Sequence, residues 1–218
     1  MDVSEDLGFY LRPENAEVAA RLVRRYFTPR PAGRFTGAHF ERLGGGGDRP
    51  AIADELTAED LVAVSMLSVE VVRDAALEIL VHRRNRLHEL LRQVPTDLTL
   101  GRVAAGAITP DWPAWRLYAE LRDIKDIGPT TASKLVARKR PHLVPIRDSV
   151  VERELALGAG PFWEPLRAWL VAGEGAHEHH LERVRAEAGL GSDISVLRVF
   201  DVLSWLVGQG YDKELARP

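Results

Sequence analysis

Apolar residues recur along most of the chain at intervals of three and four, the spacing that gathers them on one face of a helix. Val18, Leu22 and Tyr26 fall at i, i+4 and i+8 behind Pro13 and Glu14. A proline in the first turn opens a helix, and Pro29 and Pro31 are placed to stop this one. Thr57-Ala58-Glu59-Asp60 reads as a helix start, with a hydroxyl at the cap and an acid three residues on. Val71 to Val94 predicts a long amphipathic helix through Leu77, Leu80, Leu87 and Leu91, and Asp111 starts another carrying Trp112, Trp115 and Leu121. Helical spacing returns over 161–171, 176–188 and 194–207. Arg34 to Pro50 is the least helical part, a short strand or an ordered loop ending in the four glycines Gly44 to Gly47. No alternation of period two persists, so no sheet of consequence is expected. The prediction is an all-α, compact multi-helix fold of roughly eight to ten helices, a single unit over 1–218 built of two interlocked halves.

The 218 residues are 45% hydrophobic and 28% charged, as in an ordinary globular chain. No apolar run approaches the roughly 18 residues of a membrane span, and the acidic start Met1-Asp2-Val3-Ser4-Glu5-Asp6 does not read as a signal peptide. Without cysteine there is no disulfide framework, no thiolate zinc site, no cysteine-held iron–sulfur cluster and no cysteine nucleophile. A cytoplasmic protein with no cofactor and no membrane partner is the expectation.

The net charge of −3 argues against a nucleic-acid partner until its distribution is considered. Between Leu121 and Arg153 stand eight cations (Arg122, Lys125, Lys134, Arg138, Lys139, Arg140, Arg147, Arg153) and four acids (Asp123, Asp126, Asp148, Glu152). That stretch is +4, which leaves −7 for the remainder.

The same stretch, LRDIKDIGPTTASKLVARKRPHLVPIRDSVVER, carries the clearest motif. A helix ends near Asp123, a tight turn runs from Ile124 to Gly128, and Pro129 restarts a helix whose Ala132, Leu135 and Val136 face inward. Such a turn aims the unpaired amides of the second helix outward, and with the helix dipole they form an anion site. Gly128 permits close approach, Thr130, Thr131 and Lys134 add hydroxyls and a cation, and Arg138, Lys139 and Arg140 follow. A phosphodiester fits this set better than a small carboxylate.

The segment resembles the helix-hairpin-helix DNA glycosylase superfamily. Its pattern is an apolar residue, a glycine–apolar–glycine turn, a Thr-Ala pair, and a proline-containing run into an aspartate. Ile124 and Ile127 hold the apolar positions, Gly128 the second glycine, Thr131-Ala132 the pair, and Pro145-Ile146-Arg147-Asp148 the run, with Val151 and Arg153 continuing it. Asp148 lies 18 residues after Thr130, the family's separation. The module and its aspartate occupy 111–157. The resemblance implies that Gly128, Thr130, Thr131, Lys134, Arg138 and Lys139 hold DNA phosphate, that the carbonyls of Ile124 and Ile127 bind a monovalent cation, and that Asp148 is the catalytic carboxylate. Thr130 stands where the lyase members carry a Schiff-base lysine, so the implied enzyme is monofunctional. Asp126 replaces the first glycine and puts a negative charge near the phosphate, tolerable where it turns away or Lys125 neutralises it. With these departures the chain is expected to form a divergent bacterial family of unknown function.

Three functions follow. The first is a monofunctional N-glycosylase acting on duplex DNA in repair; the second is a non-catalytic DNA-binding protein on the same scaffold. The third is an α-helical interaction protein in which the motif is only structural. Each site residue also has a plainer role: Asp148 as the N-cap of the helix from Ser149, and Arg138 to Arg140 as a solvated face. His177, His179 and His180 suit a polar helix start better than a metal, and Arg83, Arg84 and Arg86 suit surface ion pairing. The tetraglycine lacks the Lys-Ser/Thr of a phosphate loop and reads as a mobile turn. The five tryptophans read as mostly core, and one of them, or Phe35, Phe40 or Tyr118, is available to line a base pocket.

Overall fold

The computed structural model describes residues 3–28, 34–155 and 163–215. Among them the fold is all-α, without strands, in the order α1 (Glu5–Tyr10), α2 (Ala16–Tyr26), α3 (Ala58–Ser65), α4 (Arg73–Leu77), α5 (Arg84–Arg92), α6 (Pro113–Arg122), α7 (Pro129–Lys139), α8 (Ser149–Glu154), α9 (Trp163–Glu187), α10 (Val196–Gly208) and α11 (Tyr211–Leu215). The two prolines expected to stop α2, Pro29 and Pro31, lie outside the described residues, as do Pro161 and Phe162. The chain divides into two compact units, one of Met1–Phe35 with Arg147–Pro218, the other of Thr36–Ile146. The boundary cuts the 111–157 segment: the α6–α7 pair belongs to the second unit and Asp148 to the first.

In the unit made from both chain ends, α10 is the central helix. Eleven of its residues are buried, and α1, α2, α8, α9 and α11 all pack on it. An apolar helix enclosed on every side needs such neighbours. Tyr26, Phe35, Trp205 and Tyr211 form an aromatic cluster at centroid distances of 5.0–6.1 Å. Helix α9 is broken where the sequence spacing leaves a gap: Gly173, Glu174 and Gly175 all take positive φ. At the end of α10, a Cβ added to Gly208 would lie 2.4 Å from Val150 Cγ1 and 3.1 Å from Glu154 Cγ, so α8 packs on bare backbone there. Gly208→Ala is expected to cost about 1–3 kcal/mol through overpacking. The urea midpoint measures it, and an unchanged or raised midpoint would contradict the contact.

In the second unit, α7 packs on α3 and α6, and α5 packs on α6. The predicted 71–94 helix is interrupted. A π-helical turn at Glu78–His82 follows α4, and Arg83 (φ −102°, ψ 6°) separates it from α5. The inserted residue changes which side chains face inward: Leu87 and Leu91 are buried, while Leu77 and Val81 are exposed. Arg83 fixes the break by pairing with Glu78, Glu120 and Asp123. Arg84 pairs with Glu55, and Arg86 lies near Glu89 and Glu120. The 34–50 region holds 3-10 turns at Thr36–His39 and Leu43–Gly45 and no strand. Of the tryptophans only Trp163 is buried; Trp112, Trp115, Trp169 and Trp205 are half-buried, so the expectation of mostly core positions is corrected.

Candidate functional site

The turn between α6 and α7 spans residues 123–128. Ile124 and Ile127 are buried beneath it, and Ile127 N donates to Ile124 O at 3.1 Å. Asp126 takes φ +68°. Aspartate is among the few residues that enter this left-handed region readily. Lys125 and Asp126 are both exposed.

Gly128 is the N-cap of α7, with φ −80° and ψ 174°, and Pro129 follows in the first turn. That φ suits any residue, and a Cβ built on Gly128 meets nothing within 4 Å. The fold itself therefore does not require glycine here. Ala132 N is the first amide to bond across the helix start, to Gly128 O at 3.0 Å. Among the described residues the amides of Thr130 and Thr131 have no hydrogen-bond acceptor. Thr130 is half-buried, and its carbonyl accepts from Ser133 Oγ at 2.9 Å; Thr131 is buried. Ile124 O accepts the Ile127 N–H, and a carbonyl has a second lone pair.

The cations of α7 stand elsewhere, and their expected role as surface phosphate ligands is corrected. Every residue from Thr131 to Arg140 is buried. Lys134 is 2% exposed and donates through Nζ to Leu67 O at 2.8 Å. Arg138 donates to the carbonyls of Phe40, Glu41 and Leu43 and, through Nε, to Asp60 Oδ1 at 3.2 Å. Lys139 Nζ reaches Asp60 Oδ2 at 2.6 Å, Gly47 O at 2.9 Å and Ile52 O at 3.2 Å. Arg140 binds Val94 O, Ala53 O and Leu91 O at 2.7–2.8 Å and Asp54 Oδ1 at 2.6 Å. The physical reason is that a buried cation needs acceptors in place of water; carbonyls of the 40–54 stretch supply them to Arg138, Lys139 and Arg140, which therefore hold that loop from inside. With these four cations in the interior, the segment that counts +4 leaves four cations and four acids outside it.

The tetraglycine belongs to the same construction and is not merely a mobile turn. Gly44, Gly45 and Gly46 take φ of 60°, 83° and 96°, which carries the chain around Arg138. A Cβ on Gly47 would stand 2.6 Å from Arg138 O and 2.7 Å from its Nε.

Asp148 is half-buried and caps α8, its Oδ1 accepting from Val150 N at 3.0 Å. The structural role foreseen for it is thus present, and beside it Arg147 pairs with Glu152. The three histidines diverge: His180 is buried with Nε2 3.0 Å from Tyr10 O, while His177 stacks on Trp169 at 4.1 Å. Burial, and then the neighbouring His180, holds the His177 imidazole below its usual range. Among the described residues no group of three or more His, Asp or Glu side chains is placed to hold a metal ion. Phe35 and Phe40 are buried, the latter under Arg138, and Tyr118 is buried beside Trp115. No helix among the described residues is long and apolar enough to cross a membrane.

No curated protein and no solved structure matches the chain. Residues 19–208, most of its length, match a family of unknown function, DUF6308, and the chain belongs to that family.

Proposed function

We propose that this protein binds duplex DNA by seating a backbone phosphate on the α6–α7 turn, and that it is a monofunctional N-glycosylase of the helix-hairpin-helix type. One observation carries the reading: Gly128 is a glycine the fold does not need, with open space above it and two unpaired amides beside it. A backbone that has no internal reason to lack a side chain suits close approach by a ligand, and amides at a helix start suit an anion. The ligands are the amides of Thr130 and Thr131 and the Thr130 hydroxyl, with exposed Arg122 and Lys125 supplying the charge. Such a grip positions the duplex without reading its sequence. A base must then leave the stack before its glycosidic bond is accessible. The Asp148 carboxylate stabilises the positive charge that develops on the sugar as the bond to the base breaks, water adds to the sugar carbon, and the products are free base and an abasic site. Thr130 forms no imine, so the strand stays intact.

Gly128→Asp separates the site from the fold. Asp is a better N-cap than glycine and occupies open space, so stability should hold or rise by a few tenths of a kcal/mol. The same carboxylate would occupy the amides and repel phosphate, so duplex binding, followed by fluorescence anisotropy, should fall at least tenfold. Unchanged binding by the folded variant would remove the turn from the interface. A second reading, a helical scaffold in which the motif is only structural, is favoured by the burial of Lys134, Arg138 and Lys139. It requires that neither wild type nor variant bind DNA.

A further inference from the structure

In the unit made from both chain ends, α1 and α11 border a cleft of about 240 Å³ lined by Glu5, Asp6, Phe9, Tyr10, Arg12 and Asp212. Three carboxylates face one guanidinium there. Asp212 is only 4% exposed, and although its Oδ2 accepts the Tyr10 hydroxyl at 3.2 Å, its Oδ1 has no hydrogen-bond partner. A buried carboxylate oxygen left without a donor is costly, and a donor supplied from outside removes that cost. Asp6 already shares its charge with Lys213 at 3.4 Å, both exposed, whereas Glu5 has no ion-pair partner among the described residues. Phe9, 43% exposed, and Tyr10 meet edge to face at 5.2 Å, so aromatic surface stands next to the acids.

We infer that this cleft is a binding site for a small organic cation, an alkylammonium or guanidinium group, whose N–H donors pair with the Asp212 carboxylate and Glu5 while its carbon chain lies on Phe9. Acid beside aromatic is the pairing such cations favour over a bare metal ion, which needs more oxygens in one place. The volume suits a short chain. Tyr10 remains a donor across the physiological range, since burial and the adjacent Asp212 push its hydroxyl up to about 12.

The test is calorimetric titration of the full chain with cadaverine and with agmatine, with magnesium chloride as the control for diffuse attraction. One cation per chain is expected, and Asp212→Asn should weaken it at least tenfold, the worth of a charge-assisted hydrogen bond. Glu5→Gln, at an exposed position, should weaken it several-fold with folding intact, and so keeps the test decisive should Asp212→Asn not fold. Glu17→Gln, an exposed acid paired with Arg21, should change nothing. N-acetyl-lysine methylamide distinguishes the sources: binding equal to cadaverine assigns a lysine side chain, weaker binding a free diamine. Equal affinity in the Asp212 or Glu5 variant, displacement by equimolar magnesium, or no heat with any cation would overturn the site. None of these outcomes depends on DNA binding.

Discussion

Asp60→Ala is expected to destabilise the protein by about 3–5 kcal/mol, the cost of removing one partner from a buried ion pair. Asp60 Oδ2 accepts Lys139 Nζ at 2.6 Å, Thr57 N at 2.8 Å and Thr57 Oγ at 3.0 Å, while Oδ1 accepts Arg138 Nε. All three charged side chains are at most 1% exposed. Without the carboxylate, two buried cations retain only carbonyl dipoles, and α3 loses its capping box. The defect should also depend on pH. Burial pushes the Lys139 ammonium below its ordinary value, against the opposing pull of Asp60. The unfolded chain therefore holds that proton more tightly than the folded one, and the resulting penalty is relieved as pH rises toward the ordinary lysine range. In the variant the opposing pull is gone, so Lys139 sheds its proton more readily while Arg138 keeps its own. Urea unfolding should show a larger loss at pH 7 than at pH 9.5. A loss below about 1 kcal/mol at pH 7 would mean that the carbonyls alone hold the cations.

Asp148→Asn is expected to lower base release from lesion-bearing duplexes by about 10²–10⁴-fold, the usual contribution of a positioned acid–base group, with duplex affinity kept within a few-fold. Asparagine caps a helix as well as aspartate does, so α8 should remain intact and the loss can be read as chemistry. Asp148→Ala should additionally cost about 1 kcal/mol of stability because the bond to Val150 N is lost. Heat or alkali after incubation reveals abasic sites. Base release by the asparagine variant at the wild-type rate would end the catalytic assignment and leave a DNA-binding scaffold.

Much of the helical architecture could be read from spacing. The break in α9 at 172–175, the helix start at Thr57 and the cap at Asp148 all stand where the sequence puts them, because each is a local arrangement of neighbouring residues. The 71–94 helix was harder, since a π turn keeps helical spacing while shifting the buried face by one residue. What the sequence hid is the direction of a charge. Arg138, Lys139 and Arg140 look like a basic surface in one dimension, yet their partners Asp60, Gly47, Asp54 and Leu91 are 49 to 92 positions away. Thr57 and Asp60 signalled a capping box, and nothing local signalled that the same carboxylate also neutralises two interior cations. At the turn, Asp126 looked like a defect, and it takes a left-handed φ that aspartate tolerates.

The salt dependence of duplex binding tests the phosphate grip most directly. If Arg122 and Lys125, exposed at the turn, are the cations that meet DNA, about two phosphates would be neutralised, so log K should fall with log salt at a slope near −2, far shallower than for a strongly basic binder. Affinity that is measurable at low salt and declines on that line is the predicted result. No binding at low salt, or binding indifferent to salt, would contradict it.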